Sequence, residues 1–158
     1  MKNNLLFILL FTSTFIFSQH INTRFIAVDK GATEKFEKGV AKKTKTFNSK
    51  EGQLRFYTFL VNTGSNMGNY MRVRYEDEMK GFDVNPSKEA MKLWNAEVSD
   101  LMTNMDGRMQ SLNKNASHVV VSPFSKPLRT VMEYTYKGGM SDEFWRFRNN
   151  VAKAVKES

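Results

Sequence analysis

Two arginines one step apart on an alternating segment form the most specific chemical feature of the sequence. From Tyr70 to Asp77 apolar and charged residues alternate, so Arg72 and Arg74 share one face of a predicted strand. Guanidinium groups bind carboxylates and phosphates through paired hydrogen bonds, which makes this pair a candidate clamp for a small anion. An exposed edge strand protected by charge gives the same pattern, and the sequence leaves both interpretations open.

Three further residues are candidates for a ligand-binding site. Tyr57 belongs to an aromatic segment expected to form a neighbouring strand. Trp94 lies among methionines at helical spacing, a pattern that also suits a hydrophobic core. His118 begins a short apolar run, where a histidine hydrogen-bonded at a strand edge is the simpler interpretation. The catalytic residues stay unassigned, and so does the question of whether the protein is an enzyme.

Several classes of chemistry lack their usual motifs. The sequence has no cysteine, no Gly-x-Ser-x-Gly and no His-x-x-x-His, so neither a serine hydrolase nor a zinc site is expected. The acidic run Glu76–Glu78 lacks the alternating ligand spacing of a calcium loop. No glycine-rich phosphate loop is present, which argues against nucleotide binding.

The first eighteen residues predict export. Lys2 precedes an apolar run from Leu5 to Phe17, which is shorter than the roughly 18–20 residues of a membrane-spanning helix. Ser18 is a suitable cleavage position, so residues 1–18 are predicted to be a signal peptide and residues 19–158 a single domain. Without a lipid-acceptor cysteine, we expect a periplasmic or secreted protein that is not a lipoprotein and has no membrane span after cleavage.

The chain is basic, with a formal net charge of +8. Lysines expected on the outer face of the first helix contribute to this charge: Lys38, Lys42, Lys43 and Lys45. Aromatic residues do not interleave with them as base-stacking platforms would, so nucleic acid is not an expected partner. A solvated helix face explains the pattern, and attraction to an anionic envelope surface is the functional alternative.

Hydrophobic periodicity and turn residues predict the order of elements. The predicted strands are 24–29, 54–62, 70–77, 118–121 and 128–136. A first helix is expected from Thr33, and a second one opens at Asn85-Pro86 and continues along an apolar stripe to Leu112. A terminal helix is expected to be capped by Ser141.

This order predicts a ferredoxin-like α+β fold. Strand, helix, strand, strand, helix, strand is the split βαβ arrangement, an antiparallel four-stranded sheet with helices on one face and here an additional C-terminal helix. Because strand 54–62 is apolar on both sides, the second face of the sheet also needs cover. A partner subunit or the final helix would supply it, so we expect a homodimer.

The strand followed by Gly31, the helical run EKFEKGVAKK and the hairpin FYTFLVNTGSNMGNYMRVRYEDEMKGFD resemble the dimeric α/β-barrel superfamily, nearest to antibiotic-biosynthesis-monooxygenase-like domains. The resemblance implies two sheets facing each other in a dimer and a pocket between sheet and helices. Members include cofactor-free oxygenases, isomerases and haem-degrading enzymes that use an asparagine, a tryptophan and a histidine. Asn95, Trp94 and His118 are of those types, so haem is an alternative to the expected absence of a cofactor.

The sequence therefore predicts an exported domain that binds a small anionic or aromatic ligand between sheet and helices. Oxygenase or isomerase chemistry without a cofactor is the enzymatic version of this prediction. A non-enzymatic envelope or interaction protein that uses its basic surface and dimer face is the alternative.

Overall fold

A computed structural model describes residues 19–118 and 127–158, so the predicted signal peptide lies outside the described residues. The strands are β1 (His20–Val28), β2 (Phe56–Leu60), β3 (Tyr70–Glu76) and β4 (Met102–Ser111), and the helices are α1 (Thr33–Phe47), α2 (Lys88–Glu97) and α3 (Ser141–Glu157). The strands pair antiparallel in the order β2-β3-β1-β4. The chain follows β1-α1-β2-β3-α2-β4, which confirms the predicted ferredoxin-like α+β class.

The core lies between one face of the sheet and helices α1 and α2. Its members are Ile26, Phe36, Val40, Tyr70 and Val98. The helices approach closely at Gly39, where an added Cβ would lie 2.8 Å from the Glu97 carbonyl oxygen. Helix α1 therefore needs a glycine at this position to pack against α2.

Strand β3 confirms the predicted alternation and shows which side carries the arginines. Ile26 on β1 is paired with Tyr70, and both are core residues beneath the helices. Arg72 and Arg74 lie two and four positions after Tyr70, so they share its helix-covered face. Both are buried, so the interpretation of an exposed, charge-protected strand is wrong.

The segment after α2 differs from the prediction. Helix α2 ends at Glu97, and residues 102–111 form strand β4, which pairs with β1 from His20↔Ser111 to Val28↔Met102. The methionines at 102, 105 and 109 have helical spacing, but pairing with β1 satisfies the backbone of this segment in an extended conformation. The helix start also differs, because Ser87, not Asn85, is the cap and accepts a hydrogen bond from the Ala90 amide.

Strand β1 begins four residues earlier than predicted. His20, which lies outside the predicted strand 24–29, is its first residue, and its Nδ1 lies 2.9 Å from the Ser111 hydroxyl on β4. The Gln19 carbonyl accepts a hydrogen bond from the Leu112 amide at 2.8 Å. The sheet therefore extends to the first described residue.

The segment after residue 126 lies over the outer face of the sheet. Residues 128–136, predicted as a strand, are irregular and exposed, so that prediction is wrong. The Arg129 guanidinium lies 5.3 Å from the centre of the Phe59 ring, and Arg108 forms an ion pair with Glu133 at 2.6 Å. This segment covers part of the face for which a partner subunit was expected, and the homodimer remains a prediction.

The last predicted elements have mixed outcomes. His118 is exposed and irregular, and the rest of the predicted strand 118–121 lies outside the described residues. Helix α3 is confirmed, although Met140 and not Ser141 occupies its N-cap position. None of the described helices is both long enough and apolar enough to cross a bilayer.

Candidate anion-binding site

Three cationic side chains lie buried between the sheet and the helices. We call Lys43, Arg72 and Arg74 the cation cluster; their exposed fractions are 3%, 6% and 7%. Lys43 comes from α1 and the two arginines from β3. Cationic side chains are rarely buried this far without partners, because removing a charge from water is costly. The groups around each cation therefore determine what the cluster can do.

Arg72 lies between two aromatic rings. Its guanidinium carbon is 4.6 Å from the centre of the Phe56 ring and 4.7 Å from that of the Trp94 indole. Its Nη1 donates a hydrogen bond to the Thr58 hydroxyl at 2.7 Å. Stacking on aromatic faces stabilises a guanidinium while leaving its in-plane N–H donors available. In Arg72 one of these donors, Nη1, is bound to an uncharged hydroxyl.

Lys43 approaches the same two rings from the helix side. Its Nζ lies 5.0 Å from the centre of the Phe56 ring and donates to the Asn48 amide oxygen at 2.9 Å. Asn48 is itself held by a 2.6 Å hydrogen bond to the Leu54 carbonyl. Burial, and then the nearby Arg72 charge, lowers the pKa of Lys43 from 10.5 to about 8. Lys43 can therefore exchange a proton at mildly alkaline pH.

Arg74 has a different environment from the other two cations. Its Nε donates to Glu76 at 2.7 Å, and Nη1 and Nη2 donate to the carbonyls of Val84 and Gly81. These contacts neutralise its charge and hold the 3₁₀ helix Met79–Asp83 against the end of β3. Arg74 is therefore a structural cation, contrary to its predicted role in a clamp with Arg72.

With the charge of Arg74 neutralised by Glu76, the other cations still leave the site strongly positive. Lys43 and Arg72 form no ion pair with any residue of 19–118 or 127–158. Arg24 on β1 is the register partner of Arg72, so it adds a third cation on the same face. Its side chain is exposed and forms no ion pair with the residues that the structure describes. Burial and then the Arg24 charge lower the pKa of Arg72 to about 10. Arg24, Arg72 and Lys43 together form a site suited to an anion.

The structure brings together three of the five residues predicted for the site. Arg72 and Trp94 are in contact and Arg74 adjoins them through the Phe56 ring, 5.9 Å from its guanidinium carbon. Tyr57 is paired with Val73, so it lies on the opposite face of the sheet. His118 is exposed on an irregular segment.

Sequence reasoning missed Lys43, Phe56, Thr58 and Asn48. Lys43 was predicted on the outer face of α1. It is buried, so this prediction is wrong. Its position gave a usable signal, because Phe36, Val40, Lys43 and Phe47 follow steps of four, three and four residues along the helix. Of the other lysines predicted on that face, Lys38 and Lys42 are exposed and form ion pairs with Glu34 and Glu97.

Two clefts lie close to the site. One, of about 810 Å³, runs along the open edge of β2 beside α1. The other, of about 590 Å³, lies between the β2–β3 hairpin loop and residues 127–133 on the outer face. Neither wall includes Arg72 or Arg74, so these arginines do not line either opening directly.

The residues considered for haem do not fit such a group. Trp94 is half-buried against the cations, whereas Asn95 on the same helix and His118 are exposed. We therefore derive no step that involves haem.

Comparisons with known proteins find similarity of fold. No protein-family description and no curated protein matches the chain. Among solved structures, a provisionally assigned antibiotic biosynthesis monooxygenase from Bordetella bronchiseptica matches 61% of this chain and 97% of its own, with 16% identity and a TM-score of 0.45. An uncharacterized NIPSNAP-like domain protein from Burkholderia xenovorans matches 73% and 95%, with 10% identity and a TM-score of 0.42.

One of these structures carries the family name that the sequence resemblance suggested. The strand order β2-β3-β1-β4 assigns the chain to the ferredoxin-like class without help from these structural similarities. At such low identities the function has to be argued from the side chains of this chain.

Proposed function

We propose that the protein binds a small organic anion at the cation cluster. The observation that carries the proposal is that Lys43 and Arg72 are buried side by side without an acidic partner among the described residues. A buried cation that lacks a counter-ion destabilises the free protein, and a bound carboxylate or phosphate would supply that counter-ion. The stability lost in the free state would be recovered as affinity.

The arrangement of the cations supports recognition of a planar anion. Arg72 is held in one orientation by Phe56 and Trp94, so its donor fork needs little further ordering when a ligand binds. Exposed Arg24 beside it would attract the anion from solvent. The aromatic rings would add contact with an apolar or aromatic body of the ligand.

The same groups would suit an isomerase or a cofactor-independent oxygenase. With its pKa lowered to about 8, the neutral amine of Lys43 could take a proton from carbon next to a carbonyl, leaving an enolate that Arg72 stabilises. Exchange of solvent deuterium into a bound keto acid would test this step. The exchange is measured at saturating keto acid, because Lys43→Met should also bind the anion more weakly. Loss of exchange in Lys43→Met is the expected result; equal exchange in both proteins contradicts it.

A non-enzymatic interaction protein is the second candidate function. It is favoured by exposed apolar side chains on the irregular segment, among them Leu128 at 81% and Met132 at 68% exposure. Exported protein that binds anionic envelope fragments but no small anion would support this candidate over the first.

The test of the first candidate is a panel of carboxylates and phosphate monoesters, each paired with its neutral amide or alcohol. Thermal unfolding is measured for the wild type, for Arg72→Met and for Arg55→Met, which removes an exposed arginine outside the cluster. We expect stabilisation by anions and not by their neutral analogues, lost in Arg72→Met and kept in Arg55→Met. Equal stabilisation of the two variants would overturn the proposal.

A further inference from the structure

An apolar groove runs beside the cation cluster. We call the 810 Å³ cleft between α1 and the open edge of β2 the edge groove. Its wall includes Phe36, Val40, Ala41, Phe56 and Leu60, together with Tyr57, which the sequence predicted for the ligand site. Polar side chains of Glu37, Thr44 and Lys45 also line it. Its volume lies within the roughly 300–1,000 Å³ typical of sites for small ligands.

Two residues belong both to the groove and to the surroundings of the cluster. The Phe56 ring lines the groove and contacts Lys43 and Arg72. Thr58 also lines the groove, and its hydroxyl oxygen accepts the hydrogen bond from Arg72. A hydroxyl that accepts through its oxygen still has one proton to donate. Thr58 is therefore placed to transmit the positive charge of Arg72 to a group in the groove.

We propose that the ligand is an amphipathic carboxylate, with its apolar chain in the edge groove and its carboxylate accepting a hydrogen bond from Thr58. This inference rests on the proposed anion binding and specifies the class of ligand. Donation from Arg72 polarises the Thr58 hydroxyl, which strengthens the hydrogen bond that it gives. The charge of the buried cluster thus explains why the occupant is an anion, and the apolar wall explains why it carries a chain.

An extended peptide is the competing occupant. Strand β2 is an edge of the sheet that residues 19–118 form, and a peptide strand could pair with the backbone of this edge. Such a partner would depend on backbone pairing and would not require a carboxylate. The charge of Lys43 and Arg72 behind Thr58 favours the amphipathic anion.

The experiment measures dissociation constants for straight-chain carboxylates from butyrate to decanoate and for the matching alcohols. Ala41→Trp places a large ring in the groove from an exposed position on α1, and Thr44→Trp does so from the same wall if the first variant fails to fold. Lys35→Trp, on an exposed part of α1 outside the groove wall, is the matched control. Thr58→Val removes the hydroxyl while nearly keeping the side-chain shape.

For the wild type and Lys35→Trp we expect affinity to rise up to about fourfold for each added methylene. In Ala41→Trp this rise should disappear, so that decanoate loses far more affinity than butyrate does. Thr58→Val should weaken decanoate binding about tenfold and leave decanol binding unchanged.

The outcomes separate this inference from the proposed function. Carboxylates that bind with no dependence on chain length would overturn the edge groove as their site and leave anion binding intact. Decanol bound as tightly as decanoate would show an apolar groove without charge recognition and would overturn both proposals. If an uncharged extended peptide stabilised the protein and decanoate did not, both proposals would also be overturned.

Discussion

Arg24 and Arg72 are register partners across β1 and β3, so two guanidinium side chains stand next to each other on the helix-covered face of the sheet. Arg24 donates to the Asn22 side chain and Arg72 to Thr58, and both acceptors are uncharged. Like charges opposite each other on adjacent strands are destabilising. The pair is retained in the described fold without a carboxylate partner, which is the pattern expected of a site that binds an anion.

Replacing Arg24 should have opposite effects on stability and on binding. Arg24→Gln removes the repulsion of Arg72, so we expect the free energy of unfolding to rise by up to about 1 kcal/mol. Affinity for a carboxylate should fall, and the remaining binding should depend less on salt. Urea unfolding and calorimetric titration measure the two effects. A variant that is less stable and binds equally well would contradict this role of Arg24.

Lys43 should make stability depend on pH. Its pKa is about 8 in the folded protein, against 10.5 for an ordinary lysine, so the unfolded chain binds more protons between these values. Stability should therefore rise with pH in this window, by about 2 kcal/mol from pH 7 to 9.5. Tyr70 has its pKa raised to about 12 by burial and then by Glu37, so it acts in the opposite direction only above about pH 10.

The check on Lys43 is urea unfolding at intervals from pH 7 to 9.5. In Lys43→Met the rise should be absent, and the variant should be more stable than the wild type at pH 7 because no charge is buried. Lys35→Met, an exposed change on the same helix, should keep the rise. The same slope in all three proteins would show that Lys43 is not the titrating group.

Arg74 should be a structural cation, and its planar guanidinium should be required for the stability of the fold. Its guanidinium joins Glu76 to the carbonyls of Val84 and Gly81, and a lysine ammonium cannot match that geometry. We expect Arg74→Lys to lower the free energy of unfolding by about 2–4 kcal/mol, because a carboxylate and two carbonyls lose partners. Arg148→Lys on α3 is a control expected to change stability by less than about 0.5 kcal/mol. An Arg74→Lys protein as stable as the wild type would refute the assignment.

Export should remove residues 1–18 and leave the sheet complete. Strand β1 begins at His20 and the Gln19 carbonyl accepts the Leu112 amide, so cleavage after Ser18 preserves both. We expect the intact mass of exported protein to correspond to a chain that starts at Gln19. Leu9→Arg, which places a charge in the apolar run, should keep the protein inside the cell. Exported protein that retains Met1 would contradict the prediction.

The sequence was sufficient for the fold class and for the alternation of β3, because both depend on local patterns. Alternation separates Arg72 and Arg74 from Met71 and Val73, but it does not say which side the helices cover. Charge was compatible with arginines in solvent or around a ligand, whereas the core position of Tyr70 places them beneath the helices. That information comes from long-range packing.

Strand β4 shows the same limit. The local spacing of Met102, Met105 and Met109 favours a helix. Pairing with β1 favours a strand, and it joins Ser111 to His20, 91 residues away in sequence. Few β-branched residues mark the segment, so its local preference is weak and pairing with β1 decides its conformation. For the site, Lys43 had a local signal in the apolar stripe of α1, whereas Thr58 and Asn48 are identified only through the partners they contact.

Anion binding at the cation cluster is tested most directly by the pKa of Lys43 with and without a bound carboxylate, followed through the NMR signal of its Cε. Lys43→Arg identifies the signal by removing it. We expect a pKa of about 8 in the free protein and a higher value in the complex, because a bound anion favours the ammonium. Affinity should accordingly fall as the pH rises above 8. A Lys43 pKa that is unchanged at saturating carboxylate would contradict the account.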